Sequence, residues 1–219
     1  MTTAYVYAPF SGSAVSLNCY CNRAWTPDLS ICSGSCANND CRCNGTVCSS
    51  GQDCASCGDC SCRNCCWHVI TQSGFQQPLD VSGSADKWIY AYLSAAIASV
   101  KVRWSANICG GGVSGDINHG TILELYAGIN ASGTLIGRVL YGHLKNQQHF
   151  DGKIVNKSGA MPWFVSIGQV PSTPAGQTCY LSTHLHMEGR SETGGVSRHA
   201  SGCNGWLSAA TSVVYSWTW

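Results

Sequence analysis

Thirteen of the chain's 16 cysteines fall between Cys19 and Cys66. A segment with that density of sulfur and almost no large apolar side chains cannot fold on hydrophobic burial alone, so cross-links or metals must hold it together. The spacings are CxC at 19 and 21, CxxxC at 32 and 36, CxC at 41 and 43, then Cys48, then CASCGDCSCRNCC from 54 to 66. Paired thiolates two residues apart suit tetrahedral zinc. Here the pairs run into one another, as in a disulfide knot or a thiolate cluster, and redox compartment decides between the two. Thirteen is odd, so at least one sulfur is free, metal-bound or paired outside the segment. A thioredoxin-like reading of CxxC needs a βαβ context that the flanking sequence lacks. Cys109, Cys179 and Cys203 are scattered through ordinary sequence, as core thiols or as one disulfide and a free thiol.

From Trp67 the texture changes. Runs rich in Val, Ile, Tyr and Trp recur about every ten residues between Gly, Ser and Asn clusters: KWIYAYLSAAIASVKVRWS, GTILELYAGIN, GTLIGRVLYGHL, PWFVSIGQV, CYLSTHLHMEG and SVVYSWTW. That spacing predicts a mostly β domain, an antiparallel sandwich or open barrel. IYAYLSAAIASV comes closest to a helix, but its β-branched ends leave helix and strand both open. Three units are expected: a polar arm at 1–18, a loop-rich cysteine module at 19–66 and the β domain at 67–219.

Charged residues make up 11% of the chain and the formal net charge is +1, too weak a field to gather nucleic acid or anionic lipid. No run of 18 apolar residues occurs, so no membrane span is expected. The opening MTTAYVYAPFSGSAVSLNC lacks a basic segment ahead of an apolar one, and no signal peptide is expected either.

THLHMEG, residues 183 to 189, concentrates the chemistry. Along a strand, residues two apart share a face, so His184 and His186 point one way while Leu185 and Met187 turn to the core. The pair is either a metal-and-base site or two histidines facing water. Glu188 would share their face as a supporting carboxylate, although Gly189 reads as the end of the strand. His143 in LYGHL follows another strand-like run. His68, His149 and His199 read as exposed loop residues, and His119 in DINHGT as part of a hairpin turn. The aromatic tail VVYSWTW reads as a strand burying half its rings, with stacking on sugar as the alternative.

Residues 69 to 189 resemble the lysostaphin and LytM type of peptidoglycan zinc endopeptidase. In that family HxxxD supplies two zinc ligands, YxHL an active-site histidine, and HLHxE a further active-site histidine and the third ligand. Here ITQSGF looks like the opening strand, PLDVSGSADKWIYAYLSAAIASV the ligand aspartate and following strands, GTILELYAG and RVLYGHL the central hairpin, and FDGKIVNKSG a later glycine-marked segment. The resemblance implies an antiparallel lysostaphin-type sheet fold, with Asp80 and His186 as zinc ligands and His143 and His184 beside the reacting water. Catalytic zinc keeps three protein ligands and a place for water, whose pKa falls to about 7. A nearby histidine then takes the proton or donates to the oxyanion.

One residue departs from the pattern. Four residues before Asp80, where the family places its first histidine, stands Gln76. An amide oxygen is a poorer zinc ligand than neutral imidazole. Three alternatives stand: an inactivating substitution, a histidine recruited from elsewhere such as His68, His149 or His199, or weak ligation by Gln76. Two functions follow. One is a zinc endopeptidase cutting the peptide stems or cross-bridges of bacterial peptidoglycan, outside the cell or on a virion. The other keeps the fold without the catalysis, as a wall-binding or structural part of a larger assembly such as a phage tail.

Overall fold

The computed structural model describes residues 1–10, 15–19, 42–43, 46–47, 76–82, 84–105, 120–172, 183–193, 196–198, 206–207 and 212–219. At 15–19, 42–43, 46–47, 76–80, 82, 197–198 and 206–207 it describes the backbone alone. Nearly all of the cysteine module, with Cys109, Cys179, Cys203, His68, His119 and His199, lies outside the described residues.

The strands are β1 Thr3–Tyr7, β2 Val15–Cys19, β3 Arg42–Cys43, β4 Thr46–Val47, β5 Gln76–Ser82, β6 Trp88–Leu93, β7 Ser99–Ser105 and β8 Gly120–Tyr126. They continue as β9 Leu135–Gly142, β10 Ile154–Asn156, β11 Trp163–Gln169, β12 His184–Ser191, β13 Val196–Arg198, β14 Trp206–Leu207 and β15 Val213–Thr218. Two antiparallel sheets result, neither closed into a barrel. One has the order β11-β6-β1-β15-β13, and the other β10-β7-β8-β9-β12-β5-β2-β14. Among the described residues, the short β3 and β4 pair only with each other. No α-helix occurs among the described residues, and none of their helical segments is long and apolar enough to cross a membrane.

Period-two patterning explains the layering. In β6, Ile89, Ala91 and Leu93 are buried while Trp88, Tyr90 and Tyr92 are not. The buried set joins Val165 and Ile167 of β11, Tyr215 and Trp217 of β15, and Val102, Leu123, Val139, Leu185 and Met187 of the larger sheet in one core. Trp163 is buried there with its indole N–H satisfied by the carbonyls of Ile97 at 3.0 Å and Ser94 at 3.3 Å. Burying Leu185 and Met187 contributes about 1.5–3 kcal/mol each. A one-residue slip of β12 would exchange them for histidines, so these two side chains hold its register.

Two sequence expectations change, and one segment left open between helix and strand resolves as strand. Residues 1–18 are not a separate arm: β1 pairs with β15 from Thr3↔Thr218 onward and touches β6 at Val6↔Leu93, while β2 pairs with β5 and β14. The cysteine-rich stretch is therefore not set ahead of the β domain but inserted within it. It leaves β2 and returns in β5, and these neighbours are paired at Cys19↔Leu79. IYAYLSAAIASV is no helix, because Trp88–Leu93 and Ser99–Ser105 are strands joined through a turn.

Gly189 does not end β12, which runs on to Ser191. A Cβ at Gly189 would come within 2.8 Å of Val196 Cγ2 and 3.2 Å of Tyr215 Cδ1. Glycine is there because the other sheet leaves no room. Opposite this point β5 carries a bulge, with Met187↔Leu79 followed by Gly189↔Gln76, so three steps of β5 match two of β12. Pro78 falls in that stretch, where a residue without an N–H is tolerated. The Tyr215 hydroxyl donates to the Met187 carbonyl at 3.1 Å beside it.

Candidate functional site

β12 is the spine of the site. Its alternation buries Leu185 and Met187 in the core and sets His184, His186 and Glu188 on the opposite face of the sheet, all three shielded from solvent. β9 brings the third imidazole. Tyr141 is a core residue, Gly142 pairs with His186, and His143 follows with φ of 54°. Few non-glycine residues adopt that left-handed conformation, histidine more readily than most. Here it breaks the alternation, so that Leu144 returns to the core while His143 joins the other histidines.

The His143 ring lies against both of the others. The His143 and His184 centroids are 5.0 Å apart and nearly perpendicular, and those of His143 and His186 are 5.8 Å apart. His186 Nε2 lies 2.6 Å from Glu188 Oε1, with Glu188 wholly buried. A carboxylate only accepts hydrogen bonds, so this contact holds a proton on His186 Nε2. Glu188 Oε2 is buried with no hydrogen-bond partner among the described residues.

No protein-family model matches the chain, and no curated protein or solved structure matches it.

Asp80 is directly across from His186 in the β5–β12 ladder, and opposed positions of an antiparallel pair share a face. Position 76 is opposite Gly189, beyond the bulge. The side chains of Gln76 and Asp80 are outside the description, and among the described residues no three His, Cys, Asp or Glu groups form a metal cage. The donor types gathered here are the His186 imidazole, a carboxylate position across the ladder at Asp80, and the Glu188 carboxylate bonded to the imidazole. The third donor is not assigned by the described side chains. His149 is on a separate loop, where its carbonyl accepts from Trp104 Nε1 at 2.9 Å. Burial, and then the charge of Lys153, lower its pKa.

A charged row continues the same face. Glu124 Oε1 meets Arg138 Nε at 3.3 Å, Glu124 Oε2 meets Arg103 Nε at 3.6 Å, and Arg190 Nε meets Glu192 Oε1 at 2.7 Å, with Arg138 bound to Glu192 as well. The Tyr126 hydroxyl donates to Glu124 Oε2 at 3.2 Å, and burial together with that carboxylate raises its pKa. The sequence reading did not single out these residues. Their signal was available: Glu188 and Arg190 continue the two-residue step of His184 and His186, and pairing Arg190↔Arg138↔Glu124 carries it across the sheet.

Proposed function

We propose that this chain is a lysostaphin-type zinc endopeptidase acting on the peptide stems or cross-bridges of bacterial peptidoglycan, at the cell exterior or on a virion. The supporting observation is the convergence of three separated motifs: His143 beside His184 and His186, with Asp80 across the ladder from His186. That is the arrangement expected if each motif has the role its family counterpart has.

In this reading Asp80 and His186 would hold the metal, with Gln76 or another side chain as the third donor. Zinc, when bound, supplies Lewis acidity and makes water ionisable near neutral pH. Glu188 fixes the His186 ring through Nε2, so that Nδ1 would be the nitrogen turned to the metal. His184 and His143, screened from bulk water, take the proton from the attacking water and return it to the leaving amine. The Arg103, Arg138 and Arg190 row extends the face along which a peptide bearing carboxylates would lie.

A second reading keeps the fold as a wall-binding or structural part of a phage tail or similar particle, without catalysis. It is favoured by Gln76, whose position lies opposite Gly189 rather than in the His186 row. Metal analysis of purified protein combined with release of amino groups from peptidoglycan separates the two. The enzyme reading expects zinc in the β domain and hydrolysis lost in His186→Ala. His184→Ala should lose about 10²–10⁴ in rate while keeping its metal. Stable wall binding without zinc or hydrolysis would favour the scaffold.

A further inference from the structure

The other sheet presents an outer face that the site does not use. Trp88, Tyr90 and Tyr92 of β6, Phe164 of β11, and Tyr5 and Tyr7 of β1 lie on that face of three neighbouring strands. Their rings form a tilted array: Tyr90 and Phe164 edge-to-face at 5.5 Å, Tyr92 and Phe164 at 5.8 Å, Tyr90 and Tyr92 at 5.9 Å, and Tyr5 and Tyr7 at 6.3 Å. Phe164 is 56% exposed and Trp88 40%. Thr3, Ser166 and Thr218 border the rings with hydroxyls, and β1, β6, β11 and β15 together carry no Lys, Arg, Asp or Glu.

That chemistry narrows the occupant. A nucleic acid also stacks on exposed rings, but it requires a basic groove for its phosphates. An anionic membrane surface calls for Lys or Arg beside the apolar groups. A protein interface sets a polar, solvent-accessible rim around its aromatic centre, and a second copy of this chain is the competing occupant that the experiment below separates. A face of rings and hydroxyls without charge complements a neutral polymer that offers C–H surfaces to the rings and hydroxyls to their polar tips.

We propose that the outer face of β1, β6 and β11 docks a neutral, N-acetylated glycan strand. This rests on the peptidoglycan reading and deepens it: the glycan is gripped on one sheet while the peptide is worked on the other. The face would hold the chain on its polymer independently of any chemistry at His186.

The full chain is titrated with chitohexaose, a neutral N-acetylated glycan, following tryptophan fluorescence and heat of binding. Saturable binding is expected, weakened roughly tenfold in each of Phe164→Ala and Tyr90→Ala, in line with the loss of one stacking ring. Both variants should unfold at the wild-type temperature. His186→Ala should bind the glycan as wild type does, so a chain that binds but never hydrolyses would sink the enzyme reading and leave this one standing. Absence of saturable binding, or affinity unchanged in both ring variants, would overturn the proposal. So would a wild-type dimer that Phe164→Ala makes monomeric, since the face would then belong to a second copy.

Discussion

Glu188 and His186 are joined by a contact of 2.6 Å between Oε1 and Nε2, with both side chains removed from water. A buried carboxylate is costly unless it is bonded, and its placement two residues along the strand makes the imidazole its partner. Glu188→Gln keeps the volume but lets the amide donate or accept, so it no longer dictates the His186 tautomer. Zinc affinity and hydrolysis should each fall 10–100-fold with the fold intact. A zinc titration unchanged by the substitution would show that the contact only fills space.

Gly189 should tolerate no side chain. Gly189→Ala drives a methyl against Val196 and Tyr215 and should destabilise the chain by about 1–3 kcal/mol, with a lower Tm by calorimetry. An unchanged Tm would mean that the sheets are less closely packed there than described.

The histidine pair of THLHMEG was legible because period two needs only neighbouring residues. Leu185 and Met187 turn to the core and His184 and His186 turn away, as the alternation dictates. Gly189 was misread as a terminus because its cause, Tyr215, lies far along the chain. The same limit hid β1. The alternation in TAYVY is plain, but Thr3 pairs with Thr218, a partner no local pattern could name. His143 announced itself by its place in LYGHL. Its left-handed turn, which brings it beside His184, has no sequence signature in a residue that is not glycine.

Because β2 and β5 are adjacent and antiparallel, the intervening cysteine-rich stretch should be dispensable for the sandwich. Replacing residues 20–75 with a short Gly-Asn turn should leave cooperative thermal unfolding and the strand content by circular dichroism, since a shorter loop closes at lower entropic cost. Loss of the cooperative transition would mean that the stretch is needed to hold these strands together.

His149 should titrate below the ordinary imidazole value of 6.5, because burial and Lys153 both disfavour its charge. The folded chain therefore binds fewer protons here than the unfolded one. Its contribution to stability is present above 6.5 and is lost as pH falls from there through the lowered pKa. The ring is only partly buried, so the effect on stability is small. Proton NMR should give a midpoint below 6.5, and Lys153→Ala should move it upward. A midpoint at or above 6.5 contradicts the assignment.

Gln76 decides between enzyme and scaffold. In a straight strand, positions 76 and 80 would be separated by about 13 Å, too far for both side chains to share a tetrahedral ion. The bulge around Pro78 makes the four steps from Asp80 to Gln76 match only three of β12, from His186 to Gly189, which shortens that separation but sets position 76 opposite Gly189 rather than in the His186 row. An amide there is a weak donor, so wild-type zinc affinity should be modest. Gln76→His should raise it at least about tenfold and, on the proposed reading in which His143 and His184 carry the proton, hydrolysis with it. Isothermal titration with zinc and a peptidoglycan assay on the same preparation read both. If Gln76→His changes neither while His143→Ala abolishes zinc binding, His143 is the third ligand and position 76 lies outside the site. If Gln76→His binds zinc tightly and cuts nothing, the groove no longer accepts a peptide and the scaffold reading holds.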